Sequence, residues 1–337
     1  MADSGFLSVL AGELQATNRL KQAKRLKTFR YVMVFRCIAA KIQVKTFFHK
    51  INLKKVKHIA LKKGNFAAII QQHSKMNLSL HNKTALVCGS TAGIGKAAAL
   101  ELAQLGANVL LLARNEAKLQ ETIADLDTSQ GQQHSYLIAD FAQPEQLKNV
   151  LAAYFSQGKA VHILVNNTGG PAGGSILTAN ISEFTNTFQQ HLVCNHILAQ
   201  AVIPCMKKAG FGRIINVIST SVKQPLRNLG VSNTIRAAVA NWAKTLSVEV
   251  APFGITVNNI LPGATNTERL ASIIANRAAK TGKSEAEIAA EMQAEIPALR
   301  FGEAAEIAAG IAFLASPAAA YINGINLPID GGRTGCL

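Results

Sequence analysis

One short stretch indicates the fold of this chain more clearly than any other: residues 84–106 read TALVCGSTAGIGKAAALELAQLG. The first five residues form an apolar run, and a glycine-rich turn follows them. The remainder is rich in Ala and Leu at helical spacing and closes on Gly106, a residue suited to the end of a helix. The stretch therefore predicts a buried strand, a tight turn and a helix.

The same alternation continues further along the chain. Three more apolar segments predict strands: NVLLLARN at 108–115, SYLIADF at 135–141 and VHILVNNTGG at 161–170. Two segments with helical spacing lie between them, at 116–126 and 144–157. Strands and helices that alternate in this way build a parallel sheet with helices on both faces. The sequence therefore predicts an α/β fold, a doubly wound parallel sheet of Rossmann type.

The turn after the first strand has the pattern GxxxGxG. Because glycine has no Cβ, such a turn can be tight and its backbone can approach a pyrophosphate. The N terminus of the following helix supplies N–H donors and a positive potential. The sequence therefore predicts a dinucleotide site at Gly89, Ser90, Gly93, Ile94 and Gly95.

The end of the second strand distinguishes NAD from NADP. A site for NAD would carry a carboxylate there, which accepts a hydrogen bond from the ribose 2′-hydroxyl. This chain has Ala113, Arg114 and Asn115 instead. A guanidinium matches a phosphate, whereas a carboxylate would repel it. We therefore expect NADP as the cofactor, with Arg114 at its 2′-phosphate; the alternative is that Arg114 is a solvated loop residue.

The positive charge of the chain is concentrated near its N terminus. The formal net charge is +16, and residues 1–76 contain 16 Lys and Arg residues against two acidic ones, Asp3 and Glu13. The segments KQAKRLKTFR and INLKKVKHIALKK favour basic amphipathic helices that rest on anionic lipid or nucleic acid. A disordered extension without a role in the chemistry, or a transit peptide, fits this composition as well. We predict a basic N-terminal extension at 1–76 and a single domain at 77–337, with no nucleic acid bound to the domain.

The cysteines and the apolar segments argue against several classes of protein. The five cysteines are odd in number and lack metal-ligand spacing, which favours a reducing compartment and neither a disulfide framework nor a metal site. The longest apolar stretch of the extension, residues 31–40, contains Arg36 and is shorter than the about 18–20 residues that a membrane span needs. The first 12 residues lack the basic start of a secretory signal. We therefore expect a cytoplasmic protein without a transmembrane segment or a bound metal.

Four motifs occur in an order that is typical of one family: CGSTAGIG, NNTGG, GRIINVIS and, near the end, DGG. Over residues 77–337 the chain resembles the short-chain dehydrogenase/reductase family, and within it the branch of 3-oxoacyl-(acyl carrier protein) reductases. The resemblance implies an NADPH-dependent reductase that converts a small carbonyl compound to an alcohol. It also implies a homo-oligomer, a tetramer or a dimer.

The resemblance extends to further cofactor contacts. The aspartate that ends SYLIAD resembles the family residue that holds the adenine amino group. The turn NNTGG resembles Asn-Asn-Ala-Gly, with Thr168 in place of the alanine. The segment LPGATNT, at 261–267, resembles the Pro-Gly turn that binds the nicotinamide amide. The contacts that these motifs imply are Asp140, Phe141, Asn167, Gly169, Gly263, Thr265 and Thr267.

The catalytic residues of the family are only partly present. The family has an Asn that keeps a relay water, a Ser that binds the substrate oxygen, and a Tyr-x-x-x-Lys whose Tyr donates the proton. At these positions the chain has His191, Ser219, Ser232 and Arg236, so only the serine is retained. A serine hydroxyl is a much weaker acid than a phenol with a pKa of ~10, and it reaches less far. Ser232 is therefore a poor direct proton donor.

Three groups besides Ser232 can take over parts of the catalytic role. Arg236 stays charged, and it can bind the ribose and oppose negative charge on the substrate. Lys223, four residues after Ser219, can present an ammonium group to the substrate oxygen, and His191 titrates near neutrality and can carry protons. The alternatives are that Lys223 is a solvated loop residue and His191 a packed one.

The first hypothesis is an NADP(H)-dependent reductase of a 3-oxoacyl-like or other small ketone with atypical catalytic residues. The second is an NADP-binding pseudoenzyme or sensor without turnover. The third is a protein that works through its basic extension on nucleic acid or a membrane.

Overall fold

The structure is a computed structural model that describes residues 76–336. The basic helices predicted for the extension, and the partners predicted for it, concern residues that lie outside the described part of the chain. Between residues 76 and 336 no helix is both long enough and apolar enough to cross a membrane.

Seven parallel strands form the central sheet, in the order β3-β2-β1-β4-β5-β6-β9. Their bounds are β1 (Thr84–Cys88), β2 (Asn108–Ala113), β3 (Ser135–Ile138), β4 (Ile163–Asn166), β5 (Gly212–Val217), β6 (Ile255–Pro262) and β9 (Asn326–Ile329). Two short strands, β7 (Thr265–Asn266) and β8 (Gly302–Glu303), pair with each other beside it. The strand order reverses between β1 and β4, and ligands bind at such a reversal, outside the carboxyl ends of the strands.

The α-helices of the described residues lie between the strands, mostly one after each. They are α1 (Gly93–Gln104), α2 (Glu116–Ala124), α3 (Pro144–Phe155), α4 (Ile181–Phe188), α5 (Cys194–Ala209), α6 (Gly230–Val250), α7 (Glu268–Thr281), α8 (Glu285–Ala294) and α9 (Ala304–Ala315). A π-helical turn, Gln189–Val193, joins α4 to α5. The predicted doubly wound α/β fold is confirmed, and its first four strands and first three helices lie where the sequence predicts them.

Helices cover both faces of the sheet. Successive side chains of a strand point to opposite faces, and β2 shows the result. Val109 and Leu111 pack with α1 and α9, whereas Leu110 and Leu112 pack with α3 and α5. The inner strands therefore read as continuous apolar runs because both of their faces are covered, whereas the edge strand β3 is partly exposed.

Four asparagines form a ladder across the carboxyl half of the sheet. Asn166, Asn216, Asn259 and Asn326 occupy facing positions on β4, β5, β6 and β9. The Nδ2 of each donates to the Oδ1 of the next, at 2.8, 2.8 and 2.7 Å. These hydrogen bonds allow polar amides to be buried. At the β4 end, Oδ1 of Asn166 is buried and has no partner among the described residues.

Candidate active site

The glycine turn before α1 is built by backbone atoms in direct contact. Gly89 and Gly93 have φ angles of 57° and 52°, in the left-handed region that favours glycine. A Cβ on Gly95 would lie 2.0 Å from the Gly89 carbonyl oxygen, and one on Gly89 would lie 2.8 Å from Nδ2 of Asn167. Asn167 holds the turn, because its Nδ2 donates to the carbonyls of Cys88 and Gly89 at 3.3 and 3.4 Å. No larger residue fits at Gly89 or Gly95 without a shift of backbone.

The N terminus of α1 is open for an anion. Its first residue follows Ala92, which makes no side-chain capping bond, and the first turn contains no acidic residue. The first N–H groups and the positive end of the helix dipole are therefore available to a pyrophosphate. Ser90 is buried with its hydroxyl 3.4 Å from the Leu112 carbonyl, and Ile94 packs against the core. The turn fits a dinucleotide.

A guanidinium and a carboxylate lie at the ends of two neighbouring strands. Arg114 follows β2 with its side chain 76% exposed, and its Nη1 lies 3.9 Å from Oδ2 of Asp140, which follows β3. An ion pair this long and this exposed is weak, so the guanidinium is free to bind a phosphate. Oδ1 of Asp140 accepts from the Ala142 N–H at 3.0 Å, and Phe141 beside it is buried.

The Pro-Gly turn after β6 lies opposite the glycine turn. A Cβ on Gly93 would lie 3.1 Å from Cγ2 of Thr267, and one on Gly263 would lie 2.7 Å from Cα of Asp330. Thr265 donates to the Gly263 carbonyl at 3.1 Å, and Thr267 caps α7 by accepting from the Leu270 N–H at 3.4 Å. The two turns therefore approach each other at Gly93 and Thr267.

Ser219, Ser232 and Arg236 lie close together at the end of β5. Oγ of Ser219 accepts from the Ser221 N–H at 3.1 Å. On α6, Nε of Arg236 donates to Oγ of Ser232 at 3.3 Å. Nη1 of Arg236 donates to the carbonyls of Val217 and Ile218, at 3.2 and 2.9 Å. Burial, together with the charge of Arg269, lowers the pKa of Arg236 to about 10, so it stays charged at neutral pH.

His191 is a packed residue with a neighbouring backbone carbonyl. It lies in the π-helical turn, is 4% exposed, and its Nε2 is 3.1 Å from the Gly169 carbonyl oxygen. A carbonyl only accepts, so Nε2 carries the proton. Burial, helped by the nearby charge of Arg236, lowers the pKa of His191 to about 3. This lowered pKa argues against proton transfer by His191 near neutral pH, and its role in the site stays a prediction.

Lys223 follows Ser219 by four residues. It is half-buried at the end of the short turn after Ser219, and the C-terminal segment lies against it. Sγ of Cys336 donates to the Lys223 carbonyl at 3.8 Å, and the Gly335 N–H donates to Oε1 of Gln224 at 3.3 Å. Contact between its ammonium group and a substrate stays a prediction.

Arg269, which the sequence analysis did not select, belongs to the same cluster. It lies in the first turn of α7, and its Nη2 donates to the Pro171 carbonyl at 2.7 Å. A Cβ on Gly170 would lie 3.1 Å from Nη2 of Arg236 and 3.2 Å from Nη2 of Arg269. The two guanidinium groups therefore meet at Gly170. Arg269 follows Thr267, the last residue of the Pro-Gly segment, by two residues. This position is the sequence signal that could have identified Arg269.

Among residues 76–336, no three His, Cys, Asp or Glu side chains are grouped so as to hold a metal ion. The site is thus made of an open, glycine-lined turn, an exposed arginine, and a cluster of hydroxyl and guanidinium groups. A dinucleotide fits the glycine-lined turn and the exposed arginine, and the cluster of hydroxyl and guanidinium groups lies beside them.

Comparison with known proteins agrees with this geometry. A family model described as Enoyl-(Acyl carrier protein) reductase matches residues 89–334. The chain is 32% identical over 254 residues to the NADPH-dependent reductase BacG of Bacillus subtilis (strain 168), covering 75% of this chain and 98% of that protein. It is 35% identical over 258 residues to the 3-oxoacyl-[acyl-carrier-protein] reductase FabG of Vibrio cholerae, covering 76% of this chain and 98% of that protein.

The similarity extends to solved structures. The crystal structure of L-sorbose reductase from Gluconobacter frateurii in complex with NADPH and L-sorbose superposes with a TM-score of 0.73 at 30% identity. The match covers 78% of this chain and 100% of that one. With the family model, these relatives and the fold in agreement, the chain belongs to the short-chain dehydrogenase/reductase family.

Proposed function

We propose that this chain is an NADPH-dependent carbonyl reductase that converts a small ketone, such as a 3-oxoacyl-like compound, to an alcohol. It is an oxidoreductase by family. One observation carries the proposal: the segment from Asn167 to Gly170 touches the glycine turn at one end and Arg236 at the other. A nucleotide on the turn and a substrate beside Arg236 would therefore be neighbours.

The cofactor is NADP(H). The exposed guanidinium of Arg114 supports this choice at the 2′-phosphate, and the relatives named above include an NADPH-dependent reductase and a reductase crystallised with NADPH. When bound, NADPH supplies the hydride that reduces the carbonyl carbon. Gly89 and Gly95 give its pyrophosphate access to the backbone, and the open end of α1 binds that charge.

The side chains at the end of β5 act on the carbonyl oxygen. Because Oγ of Ser219 accepts from a backbone N–H, its own proton is free to donate to the substrate oxygen. Arg236 is fixed by two backbone carbonyls and opposes the negative charge that develops there. Ser232 accepts from Arg236 and has a free proton as well, but it is a weak acid. The proton that completes the alcohol comes from Lys223 or from water, since His191 stays neutral.

A second candidate function is an NADP-binding pseudoenzyme or sensor. It is favoured by Ser232, which stands where the family has a phenol, and by Arg236, whose Nη1 is occupied by backbone carbonyls. Action through the basic extension, assembly as a dimer or tetramer, and a place in the cytoplasm stay predictions.

Turnover of small ketones with NADPH tests the choice between the two. We expect measurable kcat in the unaltered chain, and a lower kcat with unchanged NADPH affinity in Ser219→Ala and Lys223→Ala. Ser156→Ala, at an exposed serine at the end of α3, is the control. The double variant Ser232→Tyr, Arg236→Lys restores the family residues. Activity that appears only in this double variant would make the natural chain a pseudoenzyme.

A further inference from the structure

Arg236 and Arg269 bring two positive charges close together at Gly170. Both terminal Nη2 atoms lie against the same glycine, as the 3.1 and 3.2 Å distances from a Cβ placed there show. The ion pairs of residues 76–336 involve other side chains, and none places a carboxylate within 4.0 Å of either guanidinium. Two cations are thus held together without a counterion from the described part of the chain.

Such a pair is unfavourable unless an anion joins it. Arg236 is only 9% exposed, and a buried charge without a partner is costly. Burial and the charge of Arg269 both lower the pKa of Arg236, to about 10, yet it remains protonated at neutral pH. An oxyanion at this point would offset both the burial and the mutual repulsion.

A donor for an oxyanion and access from solvent are present. Nη1 and Nε of Arg236 are bound to Val217, Ile218 and Ser232, but its Nη2 makes no hydrogen bond within residues 76–336. Arg269 is exposed, so the pair is open to solvent on one side. Because Gly170 has no side chain, both guanidinium groups reach its backbone, where any side chain would be in close contact with both. His191, whose Nε2 contacts the carbonyl of the neighbouring Gly169, is neutral and adds no further positive charge.

We propose that Arg236 and Arg269 form an oxyanion receptor at Gly170, and that the carboxylate of the substrate fills it. The substrate is then a short oxo acid rather than a neutral ketone. This rests on the proposed function and specifies the substrate class for the same site. A phosphate of the cofactor has the same oxyanion chemistry, but the open N terminus of α1 already provides for the pyrophosphate. The receptor adjoins Ser232, so the carboxylate would lie beside the reacting carbonyl.

Calorimetric binding to the complex with NADP+ tests the receptor without turnover. The probes are acetoacetate and methyl acetoacetate, which share the ketone and differ in the charge of the carboxyl group. We expect acetoacetate to bind about tenfold to a hundredfold more tightly, as a charge-assisted hydrogen bond allows. Arg269→Gln should abolish this preference and leave the NADP+ affinity unchanged. Arg277→Gln is the matched control, since Arg277 lies on the same helix and pairs with Glu291.

Gly170→Ala provides a second variant that keeps both arginines. Its Cβ should force the guanidinium groups apart and weaken acetoacetate binding, while methyl acetoacetate binds as before. Equal affinities of the two probes in the unaltered chain would overturn the proposal. So would an Arg269→Gln variant that loses NADP+ affinity and keeps the preference for acetoacetate, because the cofactor phosphate would then be the anion. These binding experiments do not measure turnover. A chain that fails to reduce ketones would therefore contradict the proposed reductase activity but not the oxyanion receptor.

Discussion

The turn at Gly89–Gly95 and the segment at Gly170 both depend on glycine, but for different reasons. In the turn, backbone contacts backbone, and a Cβ on Gly95 would lie 2.0 Å from a carbonyl oxygen. At Gly170 the space is taken by the ends of two flexible arginine side chains, 3.1 and 3.2 Å away. The nucleotide half of the proposed site is therefore fixed by the main chain, whereas its proposed substrate half is set by side chains. A side-chain site can change its chemistry and keep the same scaffold, as the predicted replacement of the family's Tyr and Lys by Ser232 and Arg236 would illustrate.

The largest effect should follow from the most crowded glycine. Gly95→Ala should lower NADPH affinity by more than about a hundredfold, because the backbone of the turn must move to admit the methyl group. Fluorescence titration measures the affinity, and thermal unfolding shows whether the fold survives. Gly174→Ala is the control, since no atom lies within 4 Å of a Cβ there. An unchanged NADPH affinity in Gly95→Ala would contradict the statement that main-chain contacts fix the nucleotide half.

The next largest effect concerns the exposed end of the nucleotide half. Arg114→Asp should reverse the preference for NADPH over NADH, with a loss of NADPH affinity of about tenfold or more, because a carboxylate repels the 2′-phosphate. Arg114→Lys, which keeps the positive charge, should show a smaller loss. The two cofactors are titrated separately into each variant. Equal affinities in the unaltered chain would contradict the choice of NADP.

A smaller effect is expected from the buried ring in the substrate half. The pKa of His191 falls from an ordinary 6.5 to about 3 on folding, so between these values only the unfolded chain takes up the proton. This contribution to the free energy of unfolding is complete above pH 6.5 and falls by roughly 1 kcal/mol for each pH unit towards pH 3. His191→Asn should remove that part of the acid sensitivity, as urea unfolding at pH 7.5 and pH 5 measures. The exposed His81→Asn is the control, and equal acid losses in His191→Asn and the unaltered chain would show that the ring is charged when folded.

No effect is expected from removal of the basic extension. A chain that begins at Met76 keeps every residue of both halves of the site, so it should fold and bind NADPH with unchanged affinity. Gel filtration and the same titration check this. A shortened chain that is insoluble until residues 1–75 are restored would show that the domain does not begin where the sequence indicates.

The nucleotide half was accessible from the sequence because its signals are local. The apolar run NVLLLA became β2, and the glycine spacing before α1 could be recognised from seven residues. The arginine pair was not accessible, because Arg236 lies on α6 and Arg269 on α7, and only the folded path of Gly170 brings them together. The low pKa of His191 was not accessible either, because it depends on burial in a π-helical turn that no residue pattern predicts.

The asparagine ladder has a consequence for how the sheet assembles. Its three hydrogen bonds join the nucleotide half to the last strand, and each amide points its donor the same way, so the bonds reinforce one another. A two-residue slip of β9 would keep its side chains on the correct face but place Pro328 or Gly324 opposite Asn259. Neither offers an amide, so a buried polar group would lose its partner at a cost of about 1–3 kcal/mol. The ladder thus penalises alignment errors that the apolar pattern alone would tolerate.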